Sequence, residues 1–166
     1  MPPLPLGEGK ISHINRDFHT RKEPLMPKTI ECVDWPNHLD VWTPYSMAVK
    51  ATGGTTVYFA GVTAAPPYHH HPHRPEEFDT LPRDLPAQTR MALENLKRSL
   101  EAVGATFRDV VFLQTFMTTM EGHAEAGAVR KEFLGEHRPA TTTLQVVRLA
   151  TDPRCLIEVN AIAVIG

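Results

Sequence analysis

The segment PAQTRMALENLKRSLEAVGA, residues 86–105, sets Leu93, Leu96, Leu100 and Val103 at spacings of three and four. That spacing is one stripe of an α-helix, with Arg90, Glu94, Lys97 and Glu101 lying mostly on the opposite side. A helix that is apolar on one side has to lay that side on another element. Gly104 is placed as its C-terminal cap. The chain then runs on through ATFRDVVFLQTFMTT, where Val110, Val111, Phe112 and Leu113 are apolar without alternation. Such a run reads as a strand covered on both faces. A one-sided helix leading straight into a two-sided strand requires helices layered on a sheet.

The remaining segments build around that pair. YSMAVKATGGTTVYFAGVTA holds two strand-like runs around Gly53 and Gly54, whose tolerance of positive φ predicts a tight hairpin. Gly61, inside the second run, implies a bulge or a close approach. EGHAEAGAVRKEFLGEH reads as a second helix, with Ala126, Val129, Phe133 and Leu134 inward and Pro139 ending it. Two more strands, TTTLQVVRL and CLIEVNAIAVI, flank a turn-prone Ala-Thr-Asp-Pro. The order β-β-α-β-α-β-β predicts an α+β domain: a mixed sheet with both helices on one face. Leu144, Val146 and Ile162 would leave the other face apolar, and an uncovered apolar face predicts self-association. Residues 1–40 read as an N-terminal extension to a domain spanning 41–166. Pro2, Pro3, Pro5, Pro24, Pro27 and Pro36 break helices there, and only residues 28–33 alternate as a short edge strand.

Charge narrows the partners. Seventeen basic and 19 acidic residues give a net charge of -2 without a basic stripe, so no nucleic-acid partner is expected. No apolar run is long enough to span a bilayer, and the first residues do not read as a secretory signal. A cytoplasmic location is expected, with Cys32 and Cys155 as ordinary thiols rather than a disulfide or a nucleophile.

The ordered series PYSMAV, VYFAGVTA, QTRMALENLKRSLEAVGATFRDVVFLQTFM, PATTTLQVVRL and LIEVNAIAV resembles the Rid family, the YjgF-like or L-PSP-type proteins. Gln88, Asn95, Leu96, Gly104 and Asp109 carry its most specific block. The resemblance implies a chorismate-mutase-like fold of the AroH type and a homotrimer, with a ligand cleft at each subunit interface. It implies hydrolysis of small enamine or imine metabolites to keto acids and ammonia, with no cofactor and no metal. Tyr45 matches the cleft tyrosine, and Glu158 the glutamate that positions or activates water. Ala60 and Gly61 match a serine–glycine pair whose hydroxyl is missing here, and Gly127 stands near a family asparagine. Thr141 stands where the family has the arginine that clamps the substrate carboxylate. A threonine has no charge and no planar fork. Either the substrate is not a simple 2-imino acid, or another cation has moved in, with Arg138, Arg148 and Arg130 as candidates. The resemblance thus points to a divergent hydrolase or deaminase. A non-catalytic small-molecule-binding trimer, or a lyase or tautomerase on the same scaffold, stands as the alternative.

One feature lies outside the resemblance. APPYHHHPHRPEEFDTLPRDLP is a long proline-rich loop carrying His69, His70, His71 and His73. Imidazoles ligate transition metals, but this spacing has no helical or strand regularity to make ligands converge, so a solvated loop is expected. A lid over the cleft is the other reading, with a histidine as acid or base. Trp35 and Trp42 are expected as packing anchors, and Met117 and Met120 as core filler.

Overall fold

Asp84 begins helix α1 (Leu85–Ala102): its side chain accepts the Ala87 N–H at 2.8 Å, and Pro86 occupies the first turn, where a missing N–H leaves no bond broken. In this computed structural model, which describes residues 27–36, 42–67 and 72–166, the stripe expected of that helix is the centre of the core. Leu85, Ala92, Leu93, Leu96 and Leu100 are buried. Val103, expected inward, is the C-terminal cap residue and is exposed, because its own backbone, at φ -110° and ψ 8°, has left the helix just before Gly104 turns the chain at φ 75°.

The sheet under α1 has the order β3 (Thr55–Tyr58), β7 (Ile157–Ile165), β5 (Val110–Met117), β6 (Ala140–Gln145), and the short β4 (Val62–Thr63) also pairs with β7. Strands β5 and β6 are parallel, joined by α2 (His123–Leu134); the other pairings are antiparallel. The sheet is therefore mixed, and both helices pack on one face, above Leu113, Met117, Ile157, Val159 and Ala163. The opposite face carries Phe112, Phe116, Glu158, Asn160 and Ile162, together with Tyr58 at 76% and Leu144 at 47% exposure. The expected α+β, chorismate-mutase-like architecture is the observed one.

Three local expectations are corrected. Gly53 and Gly54 both have positive φ, but no hairpin forms across them. Strand β2 (Ala48–Thr52) pairs with β1 (Thr29–Val33) in a separate two-stranded sheet, while β3 pairs with β7. The glycines hand the chain from one sheet to the other through a narrow gap. A Cβ on Gly53 would stand 2.2 Å from the Pro27 carbonyl oxygen, and one on Gly54 2.6 Å from that of Ile165. Helix α2 ends at Gly135, φ 59°, well before Pro139. Strand β6 stops at Gln145; the next residues turn away, and Leu149 joins Phe78 and Cys155 in a satellite cluster.

Outside the larger sheet, β1 is held by Lys28, which pairs with Asp109 and donates to the Val164 carbonyl at 2.7 Å. Cys32 is exposed, Cys155 is buried, and both are free thiols. Met117 is buried, but Met120, Trp35 and Trp42 are exposed rather than core. Most of the expected extension, and His69, His70 and His71, lie outside the described residues. Among those described, no helix is long and apolar enough to cross a membrane.

Candidate active site

Residues 42–46 are pinned to the chain entering β6. Arg138 donates through Nη2 to both Asp34 carboxylate oxygens, at 2.7 and 2.8 Å, and to the Tyr45 carbonyl at 3.0 Å. The Ser46 hydroxyl donates to the Arg138 carbonyl at 2.7 Å. This places Tyr45 and Trp42 over the gap between α2 and β6, closing a cavity of about 460 Å³. Thr141 lines it beside Leu113, Thr143, Gly127 and Leu134. The Thr141 hydroxyl turns back to the Pro139 carbonyl at 3.1 Å. Among the described residues, three basic side chains, His123, Arg130 and Lys131, line the same cavity, and no acidic residue does. Lys131 Nζ lies 4.3 Å from the centre of the Trp42 ring, a cation–π contact. Arg130 Nη1 donates to the Thr143 hydroxyl at 3.2 Å.

Glu158 belongs to a different surface. It pairs with Phe116 of β5 and Thr63 of β4, whereas Thr141 pairs with Leu113, three residues back on β5. An odd offset on a pleated strand means opposite faces. Glu158 lies on the uncovered face and Thr141 on the helix side. Gly61 lies directly against the carboxylate: a Cβ there would stand 2.2 Å from Glu158 Oε1. The close approach expected at Gly61 is to a side chain, not to backbone. Among the described residues Glu158 has no ion-pair partner.

The loop expected to carry the lid has its own fixed point. His73 Nδ1 lies 2.5 Å from Glu77 Oε2, and the imidazole packs edge-on against Phe78 at 5.2 Å between ring centres. His73 and Gly61 line a second cavity of about 280 Å³, with Thr63, Asn95 and Arg98. Asn95 shapes it by donating to the Thr63 and Ala65 carbonyls, each at 2.9 Å.

Of the residues singled out in the sequence, Tyr45 and Thr141 come together, as do Gly61 and Glu158. The two groups do not meet within one chain. Ala60 is exposed, beside Gly61. Arg138 supports the cavity from behind, engaged by Asp34, and does not line it; nor does Arg148. Sequence reasoning missed His123 and Lys131. The signal for one of them was present: residues 123, 127, 130 and 134 follow a 4-3-4 spacing, one stripe of α2.

The family model described as Endoribonuclease L-PSP matches residues 36–165. A RutC family protein of Pyrococcus horikoshii is 36% identical over 120 residues, covering 72% of this chain and 86% of its own. The 2-iminobutanoate/2-iminopropanoate deaminase of Escherichia coli is 36% identical over 87 residues, 51% of this chain and 66% of its own. Among solved structures, a Rid-family protein of unknown function from Yersinia pestis, YyfB, superposes with a TM-score of 0.66 at 29% identity, covering 82% of this chain and 98% of its own. With the layered fold, the glycine-seated glutamate and the Tyr45 cavity in place, the chain belongs to the Rid family of YjgF-like proteins.

Proposed function

We propose that this protein is a Rid-family hydrolase of small enamine or imine metabolites, acting in a cleft between two copies of the chain on a substrate other than the simple 2-imino acids. The observation that carries the reading is the split of the site over the two sheet faces. Thr141 and Glu158 are separated by strand β5, about 10 Å for two strand spacings, and point to opposite sides. One small ligand reaches both only if Glu158 comes from one copy and the Tyr45 cavity from the next. The uncovered face around Glu158, with Tyr58, Phe116 and Leu144, is the surface such an assembly would bury.

The chemistry needs little. Glu158, held against Gly61 and free of a cation among the described residues, orients a water and takes its proton as the oxygen attacks the imine carbon. The first water proton passes from Glu158 to nitrogen to give the neutral carbinolamine. This then collapses, its hydroxyl losing the second proton to nitrogen by way of Glu158 as the carbonyl forms and the carbon–nitrogen bond breaks, and ammonia leaves a ketone. The name of the Escherichia coli relative, a 2-iminobutanoate/2-iminopropanoate deaminase, supports the reaction class. Threonine at position 141 supports a different substrate, and equally a trimer that binds its ligand without turnover.

The test generates a panel of imines in situ and follows their decay with wild type, Glu158→Gln and Thr141→Arg. Wild-type hydrolysis that falls about 10²-fold or more in Glu158→Gln is the expected result. Turnover that survives intact in Glu158→Gln removes Glu158 from the chemistry. Ligand binding with no product from any imine favours the binding protein.

A further inference from the structure

Arg130 is a partly buried cation without a counter-charge among the described residues. Elsewhere, Arg90 is paired with Glu132, Arg138 with Asp34, and Arg154 with Asp79 and Asp152. No carboxylate among the described residues lies within ion-pair distance of Arg130. Burial alone holds its guanidinium below the ordinary arginine value, with nothing acting in the other direction. It still stays charged at neutral pH, so a desolvated cation faces the cavity with most of its five N–H donors unspent. Its one hydrogen bond among the described residues, to the Thr143 hydroxyl, leaves that hydroxyl its own proton to donate.

The neighbouring positions are consistent with this placement. Gly127, one turn earlier on α2, has no side chain, and a Cβ there would already stand 4.0 Å from Arg130 Nη2. A longer side chain at 127 would take the space the guanidinium uses. An arginine at 141 would put a second cation into the same cavity. Thr141 and Gly127 are therefore the residues that let a cation reach this cavity from the helix. Trp42, Tyr45, Leu113 and Leu134 make the rest of the wall mostly apolar.

Resting on the Rid-family reading above, we propose that Arg130 is the specificity-determining residue of this site. It receives the carboxylate of an imine or enamine acid with an apolar body, between its guanidinium and the Thr143 hydroxyl. A planar fork beside one hydroxyl matches a carboxylate bidentately. The anchor stands at Thr143, one pleat repeat of about 7 Å along β6 from position 141, so the carboxylate is held from α2 and an apolar substituent fits beneath Trp42 and Tyr45.

The full-length protein is compared as wild type, Arg130→Met, Arg130→Lys and Arg130→Met/Thr141→Arg. One arm measures hydrolysis of 2-imino acids with methyl, ethyl and benzyl side chains and of a benzyl imine lacking a carboxylate. A second arm measures calorimetric binding of unreactive 3-phenylpropanoate and, separately, of inorganic phosphate. Arg130→Met is expected to lose roughly ten- to one-hundred-fold in kcat/KM for the benzyl-substituted imino acid, with KM carrying the loss and the neutral imine unchanged. Arg130→Lys recovers part of it, and 3-phenylpropanoate binds wild type but not Arg130→Met. If no imine is turned over yet 3-phenylpropanoate still binds through Arg130, the hydrolase reading fails and this inference stands. If imino acids are hydrolysed equally by wild type and Arg130→Met, the inference falls and the hydrolase reading stands. Phosphate binding without 3-phenylpropanoate binding overturns the carboxylate. So does an Arg130→Met variant whose only change is its oligomeric state, since the cation then serves a contact between copies.

Discussion

The contact between Gly61 and Glu158 sets how tightly the proposed base is placed. The atom that an added Cβ would strike is the end of a flexible side chain, Oε1 at 2.2 Å, with Cδ next at 2.9 Å. The φ of Gly61 is not positive, so alanine brings no backbone strain there. Gly61→Ala is therefore expected to fold with a melting temperature close to wild type while the carboxylate swings aside. Hydrolysis should fall on the order of 10²-fold, matching Glu158→Gln, because the same proton acceptor is lost. Circular dichroism melting alongside the imine assay checks both halves. A fully active Gly61→Ala would mean the carboxylate is not used where it stands. Gly61 was legible as a close approach from its place inside a strand, but not what approached it. That depends on the register of β4 on β7, which pairs Thr63 with Glu158.

At the scale of elements, the joint between α1 and β5 ties the start of β1 to the core. Thr106 and Asp109 form a capping box around the turn Phe107–Asp109, and the same carboxylate meets Lys28 ahead of β1. Burial pushes the Asp109 pKa up, but the Lys28 ammonium and the Thr106 N–H and hydroxyl outweigh it and hold the group below its ordinary 3.8. A lowered folded-state pKa gives stability that is present above the ordinary value and lost as pH falls through the lowered one. Asp109→Asn is expected to cost about 1–2 kcal/mol at neutral pH. The wild-type and variant melting temperatures should then converge below pH 3.8. Melting curves from pH 7 downward decide it; parallel curves would show that Asp109 does not carry the acid limb. Elements like this one show where the sequence was readable. The leucine stripe of α1 and the helix-to-strand switch follow from local periodicity, and they held. The Gly53–Gly54 hairpin also followed from local rules, yet it failed, because β7 and β1 offered each strand a partner the local sequence does not contain. The same limit left the replacement cation as a choice among Arg138, Arg148 and Arg130: 4-3-4 spacing puts Arg130 on a stripe with Gly127, but that it lines the cavity without an acid among the described residues emerges only from the tertiary structure.

For the whole molecule, the decisive surface is the uncovered sheet face. Tyr58 is 76% and Leu144 47% exposed there, beside Phe112, Phe116 and Ile162, all contiguous through the β3–β7–β5–β6 ladder. Exposed aromatic and aliphatic residues that adjoin one another in this way mark an association surface rather than ordinary scatter. Glu158 stands on this face and Thr141 on the other, so a site using both is complete only after assembly. Sedimentation equilibrium is expected to give three times the 18.5 kDa of the chain. Leu144→Asp places a charge on that face without touching the helix-side core, and is expected to shift the mass toward the single chain while α1 and α2 stay folded. If assembly builds the site, imine hydrolysis falls with the fraction dissociated and returns as protein concentration is raised. A dissociated Leu144→Asp chain that hydrolyses imines at the wild-type rate would place the whole reaction within one chain. It would leave either the Glu158 face or the Tyr45 cavity without a part in it.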